Sequence, residues 1–118
     1  LTVQENLYFS LKISGACEDT ISMQHALSKV GLSKYNSKPF RLLSQGQKRR
    51  LTLARLIADK SRPLWILDEP YNALDQEGVV LLQELIKNHV NSGGIIVLTS
   101  HLEPKIDQNF VNVLRLDQ

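Results

Sequence analysis

Apolar residues recur at three- and four-residue spacing through the first half of the chain. They then give way to two short, continuous apolar runs. Thr2-Val3-Gln4-Glu5 has the spacing of a capping box, in which a Thr hydroxyl and a Glu carboxylate three positions on satisfy each other's backbone N–H groups. It predicts a helix from about Val3 to Lys12, broken by Gly15. Asp19 or Thr20 is suited to cap a second helix with Met23, Leu27 and Val30 on one face, and Gly31 to end it. A loop with Asn36, Ser37 and Pro39 follows. Ser44-Gln45-Gly46-Gln47 repeats the capping-box spacing and predicts a helix from about Gln45 to Ala58, with Leu53, Leu56 and Ile57 facing inward.

From Pro63 onward the pattern changes. Leu64-Trp65-Ile66-Leu67 is a continuous apolar run of the kind that suits a strand buried on both faces of a parallel sheet. A helix is expected over about Gln76 to Val90, stopped by Asn91-Ser92-Gly93-Gly94. A second strand follows from Ile95 to Leu98, then a short helix and a last strand from Val111 to Leu116. Strands alternating with helices point to an α/β fold with a parallel sheet. Two units are expected: a helical one over 1–62 and an α/β portion over 63–118.

Composition adds little and excludes some classes. Of 118 residues, 42% are hydrophobic and 22% charged, which is ordinary globular usage. A net charge of +2 is too small to argue for a nucleic-acid partner. The single cysteine, Cys17, excludes an internal disulfide framework. No apolar run approaches the roughly 20 residues that cross a bilayer, so membrane association is expected through a partner. Glu5-Asn6-Leu7-Tyr8-Phe9-Ser10 has the look of a protease-cleavable tag, but the apolar pattern runs on through Leu11 and Ile13, and we read it as native sequence.

The chemistry-bearing residues gather at strand ends and at one helix start. In open α/β sheets ligands bind beyond the carboxyl ends of the strands. One predicted strand ends in Asp68 and Glu69, the other in Thr99-Ser100-His101. Adjacent carboxylates on a strand point to different sides, so Asp68 is placed to hold a Mg²⁺ ion and Glu69 to polarise a water. For the two carboxylates alone, a strand end followed by a polar loop is the plainer reading. Ser44 and Gly46 stand where free N–H groups and the positive end of a helix dipole favour an anion. Lys48, Arg49 and Arg50 follow, and a polyphosphate nearby would relieve their charge; a solvated basic face is the plainer reading. His25, His89 and Trp65 carry no assigned role.

In order and spacing these segments resemble the ATP-binding cassette (ABC) ATPase family over almost the whole chain. Leu43-Ser44-Gln45-Gly46-Gln47 looks like its signature loop, with Gln45 in place of the commonest glycine. Leu64 to Pro70 looks like its Walker B strand with the following glutamate, Ala73-Leu74-Asp75 like its D-loop, and Thr99-Ser100-His101 like its switch histidine. The resemblance implies a P-loop NTPase-type parallel sheet with an inserted helical subdomain. It implies ATP and Mg²⁺ as cofactors, with two such domains paired head to tail around two ATP molecules. Ser44, Gly46 and Gln47 would then contact the γ-phosphate held by the partner. Asp68 would organise Mg²⁺, Glu69 act on the water, His101 contact the γ-phosphate, and Asp75 couple the two sites. An integral membrane permease and a peripheral place on the cytoplasmic or matrix side of the membrane are further implications.

Within the family, Leu64 to Pro70, the Arg49-Arg50 pair and Gly93 to His101 look like the ATP-binding subunits of cytochrome c maturation, which drive a haem-handling step. Alternatives are the ATPase of another ABC transporter, a DNA-repair or chromosome-maintenance ATPase, and an inactive remnant. The second expects heptad coils and a basic surface, which the sequence does not offer; no nucleic-acid partner is expected. No G-x-x-x-x-G-K-[ST] phosphate loop is present. The resemblance places it upstream of Leu1, so the chain reads as a piece of a longer protein, about three-fifths of a usual domain. Alone it is expected to bind ATP weakly, not to turn it over, and to associate through uncovered apolar faces.

Overall fold

A computed structural model describes residues 1–16, 19–60 and 62–100. Cys17, His101 and the last helix and strand expected from the sequence lie outside the described residues. The described elements are helices α1 (Val3–Ile13), α2 (Thr20–Lys29), α3 (Gln45–Ala58) and α4 (Gln76–Asn91), and strands β1 (Leu64–Asp68) and β2 (Ile95–Thr99). Short 3₁₀ turns occupy Ser33–Tyr35 and Phe40–Leu42.

Each helix starts where a side chain satisfies the N–H groups that the helix itself cannot. Thr2 and Glu5 form a reciprocal capping box on α1, Asp19 caps α2, Ser44 and Gln47 form the box on α3, and Asp75 caps α4. Gly31 and Gly93 adopt φ of +76° and +89° just beyond α2 and α4. That left-handed conformation, which a Cβ disfavours, ends both helices.

Val3, Leu7 and Leu11 form a stripe on α1 that is buried against α3. Met23, Ala26 and Leu27 do the same from α2. Leu51, Leu53 and Ala54 of α3 are buried between them, while Leu56 and Ile57 are only half-buried. The residues with the look of a protease tag lie inside α1, with Leu7 fully buried. Phe40 N–H donates to the Leu1 carbonyl at 2.9 Å and Val3 N–H to Lys38 at 3.0 Å, tying the chain's first turn to the segment that leads into α3.

β1 and β2 pair in parallel, Leu64 opposite Ile95 through Asp68 opposite Thr99. Parallel pairing confirms the α/β class. Of the burial on both faces expected for β1, the described residues supply one side. β1 is buried on a single face: Trp65 and Leu67 point inward, while Leu64 and Ile66 are 49% and 73% exposed. Ile95 and Val97 of β2 are exposed on that side too. Among the described residues, α3 and α4 pack together and α4 covers β2. The outer sheet face carries no covering element among them, which is why the side chains alternate in exposure along an all-apolar strand.

Candidate functional site

The site is built where the start of α3 meets the loop between β1 and α4. Ser44 caps α3 by accepting from Gln47 N–H at 3.1 Å, and Ser44 N–H donates to Gln47 Oε1 at 2.9 Å. This cap uses acceptor oxygens of both side chains. The Ser44 hydroxyl proton and the Gln47 amide protons, which the cap does not use, are the donors an anion requires. Gly46 lies so close to the loop that a Cβ there would stand 3.2 Å from the Ala73 carbonyl oxygen. The glycine therefore serves a protein contact in this structure.

At the end of β1 the parallel register sets Asp68 beside Thr99, whose hydroxyl donates to Asp68 Oδ1 at 2.5 Å. Glu69 N–H donates to the Thr99 carbonyl at 3.0 Å and to its Oγ1 at 3.2 Å. Glu69 then turns into the left-handed region with φ 46°, as does Ala73 with φ 63°. Non-glycine residues held there are strained, and such strain concentrates at functional sites. The Glu69 carbonyl accepts from Asn72 N–H and from the Arg49 guanidinium, both at 3.2 Å.

Asp75 occupies the N-cap of α4, accepting from Gly78 N–H at 2.9 Å. It also takes two bonds from Arg50 Nη2, at 2.7 and 3.0 Å, while Arg50 Nη1 donates to the Val30 carbonyl at 3.1 Å. The Gly78 N–H, then the Arg50 guanidinium, hold the Asp75 carboxyl below its ordinary pKa. Arg49 and Arg50 are thus neither a merely solvated basic face nor held open for a polyphosphate. Both are satisfied by protein acceptors, and Lys48 lies over the Phe40 ring at 5.2 Å.

The structure brings Ser44, Gly46 and Gln47 onto the same body as Glu69 and Asp75 through α3. His101 lies outside the described residues. The partners of Thr99, Arg49, Trp65 and His89 were not read from the sequence. The His89 ring stacks on Trp65 with centroids 3.8 Å apart and its Nε2 meets the Pro63 carbonyl at 2.9 Å, fastening the end of α4 to the start of β1. No local sequence signal reveals these pairings, because the partners lie 20 residues or more apart. A cleft of about 330 Å³ is lined by Asn6, Phe40, Gln45, Lys48, Arg49 and Arg55, among others, and holds neither Asp68 nor Glu69.

Asp68 fits a Mg²⁺ ion in a particular sense. Among the described residues no three His, Cys, Asp or Glu side chains converge as a metal cage. Mg²⁺ is commonly held by one or two carboxylates with waters and substrate phosphates, and a carboxylate oriented by Thr99, as Asp68 is, is compatible with that coordination. No helix of the described residues is long and apolar enough to cross a membrane.

Comparison with known proteins bears on family and fold. The ABC transporter family model matches residues 1–72. The chain is 50% identical over 103 residues to the cytochrome c biogenesis ATP-binding export protein CcmA of Pseudomonas aeruginosa, covering 87% of this chain and 50% of that protein. It is 43% identical over 116 residues to the protein of that name from Vibrio cholerae, covering 98% and 56%. The chain spans about half the length of these curated relatives. Among solved structures, an ABC transporter ATP-binding protein from Pyrococcus furiosus superposes with a TM-score of 0.73 at 22% identity, over 91% of this chain and 53% of that one. An ATP-binding subunit of an ABC transporter superposes with a TM-score of 0.70 at 23% identity, over 86% and 43%. These likenesses show the fold. With the family model spanning α1, α2, the capped α3 and β1 with its acidic end, the chain belongs to the ABC transporter family.

Proposed function

We propose that the intact protein is the ATP-hydrolysing subunit of an ABC transporter that energises a haem-handling step in cytochrome c maturation. The observation that carries the ATPase reading is the joining, by one helix, of an anion-ready N-terminus and a strained acidic strand tip. Ser44 caps α3, and one turn later Arg49 of the same helix holds the Glu69 carbonyl. The names of the relatives, which are ATP-binding export proteins of cytochrome c biogenesis, support the cargo reading.

In this reading two copies pair head to tail. Ser44, Gly46 and Gln47 of one subunit donate hydrogen bonds to the γ-phosphate bound by its partner. Glu69 accepts a proton from the attacking water, Asp75 lies between the two sites, and His101 contacts the γ-phosphate. Asp68 would hold Mg²⁺, which when bound offsets charge on the phosphate oxygens. Phosphoryl transfer needs this kind of positioning and charge stabilisation more than covalent chemistry. An integral membrane permease completes the complex, with this subunit peripheral on its cytoplasmic face.

The test is Glu69→Gln in the intact protein. General-base loss predicts ATP turnover slower by about 10²- to 10⁴-fold, with ATP-driven dimerisation retained. Turnover at the unsubstituted rate would remove Glu69 from the chemistry. For the cargo, a strain lacking the gene should fail to make holocytochrome c and regain it with the unsubstituted gene but not with Glu69→Gln.

A further inference from the structure

The Glu69 backbone is gripped at both of its polar groups, and one grip comes from a side chain with no other assigned task. Its N–H is held by Thr99 on β2. Its carbonyl is held by Arg49 Nη2 at 3.2 Å from α3, together with the Asn72 N–H. Between the two grips the residue sits at φ 46°, a conformation that an L side chain disfavours and that persists only when neighbours over-determine it. The direction of the Cα–Cβ bond, and with it the origin of the carboxylate, follows from that backbone.

We propose that Arg49 is a positioning residue for ATP hydrolysis: by holding the Glu69 carbonyl it keeps Glu69 in the left-handed conformation that aims its carboxylate at the attacking water. This rests on the reading of Glu69 as the hydrolytic carboxylate. The neighbouring Arg50 fastens the far end of the same loop through Asp75 and the α2 terminus through Val30. Two consecutive arginines of α3 therefore pin both ends of the Glu69-to-Asp75 loop. With Arg50 in place, loss of Arg49 leaves the loop docked and frees Glu69 in particular to relax toward an ordinary backbone conformation. A guanidinium donating to a carbonyl is a charge-assisted bond, which suits it to holding strain.

The experiment is a cycle in the intact protein of Arg49→Ala, Glu69→Gln and the double variant, with Arg49→Lys alongside. Misplacement of a reacting group by about 1 Å costs on the order of 10²-fold in rate. Arg49→Ala is therefore expected to lower kcat by about 10- to 100-fold, with the KM for ATP nearly unchanged. Arg49→Lys, which keeps an N–H donor, should recover part of the loss. The double variant should turn over no more slowly than Glu69→Gln, since no carboxylate is left to aim. A general structural weakening would instead multiply onto the Glu69→Gln rate. If Arg49→Ala fails to fold, Arg49→Gln takes its place in the same cycle. Unsubstituted kcat in Arg49→Ala, or an undiminished further loss in the double variant, overturns this inference while leaving the ATPase reading intact. Normal turnover by Glu69→Gln overturns both.

Discussion

Gly94 is the position where one added methyl should do most damage away from the site. A Cβ there would stand within 2.6 Å of three atoms of the His89 ring, Nε2 among them. These separations are far inside van der Waals contact, so the ring must leave. Gly94 has no positive φ, so Gly94→Ala carries no backbone penalty of its own. Displacing His89 breaks its 2.9 Å contact with the Pro63 carbonyl and its 3.8 Å stack on Trp65. A hydrogen bond contributes about 0.5–1.5 kcal/mol and an aromatic stack about 0.5–1.5 kcal/mol. Gly94→Ala should therefore destabilise the protein by about 1–3 kcal/mol, a fall of at least about 2 °C in Tm. Thermal melts followed by circular dichroism check this, and Trp65, the only tryptophan of these 118 residues, reports loss of the stack through its emission. His89→Ala should cost about as much, and Gly94→Ala added to it should cost nothing more, because the clash is with the ring alone. An unchanged Tm and emission in Gly94→Ala, or equal losses in both backgrounds, would refute the packing argument.

Two further outcomes follow from groups elsewhere. The Thr2 N–H lowers the pKa of Glu5, the Ser22 hydroxyl that of Asp19, and the Gly78 N–H that of Asp75. A depressed folded-state pKa means that these caps stabilise fully above the unfolded value of about 4 and lose their effect as pH falls through the folded value. Tm should drop below about pH 4, and the combined Glu5→Gln, Asp19→Asn, Asp75→Asn variant should show a shallower acid slope; an identical slope would contradict the assignment. The Tyr71 hydroxyl is buried with no hydrogen-bond partner among the described residues, and burial pushes its pKa up. Tyr71→Phe should leave Tm unchanged or raise it by up to the equivalent of about 1–3 kcal/mol, whereas a clear fall would show that the hydroxyl has a partner.

Local signals in the sequence were enough for the elements. The two capping boxes and the acidic caps mark where α1 to α4 begin, and α3 runs from Gln45 to Ala58 as its box and apolar spacing predict. The parallel pairing of β1 with β2 follows from two apolar runs separated by a helix. Which face of β1 is covered was not legible, because a run such as Leu64-Trp65-Ile66-Leu67 is apolar on both sides whatever packs against it. Nor were the partners of Arg49 and Arg50. A basic helix start is equally compatible with a ligand phosphate, and only the folded chain shows Glu69 and Asp75 taking those guanidinium groups. Thr99 was hidden for a similar reason: its bond to Asp68 depends on strand register across 31 residues. The glycine at 46 allows close approach by a phosphate or a backbone, and the structure supplies the Ala73 carbonyl.

The most direct measurement is a structure of the intact Glu69→Gln protein closed around MgATP. The account predicts the Ser44 hydroxyl and the Gly46 N–H within hydrogen-bonding distance, about 2.7–3.2 Å, of the γ-phosphate bound by the facing subunit. In that closed state the substituted amide side chain at position 69 should contact the water in line with the same phosphate. A closed, nucleotide-filled dimer in which Ser44 and the side chain at position 69 both stand well beyond contact with that phosphate would contradict it.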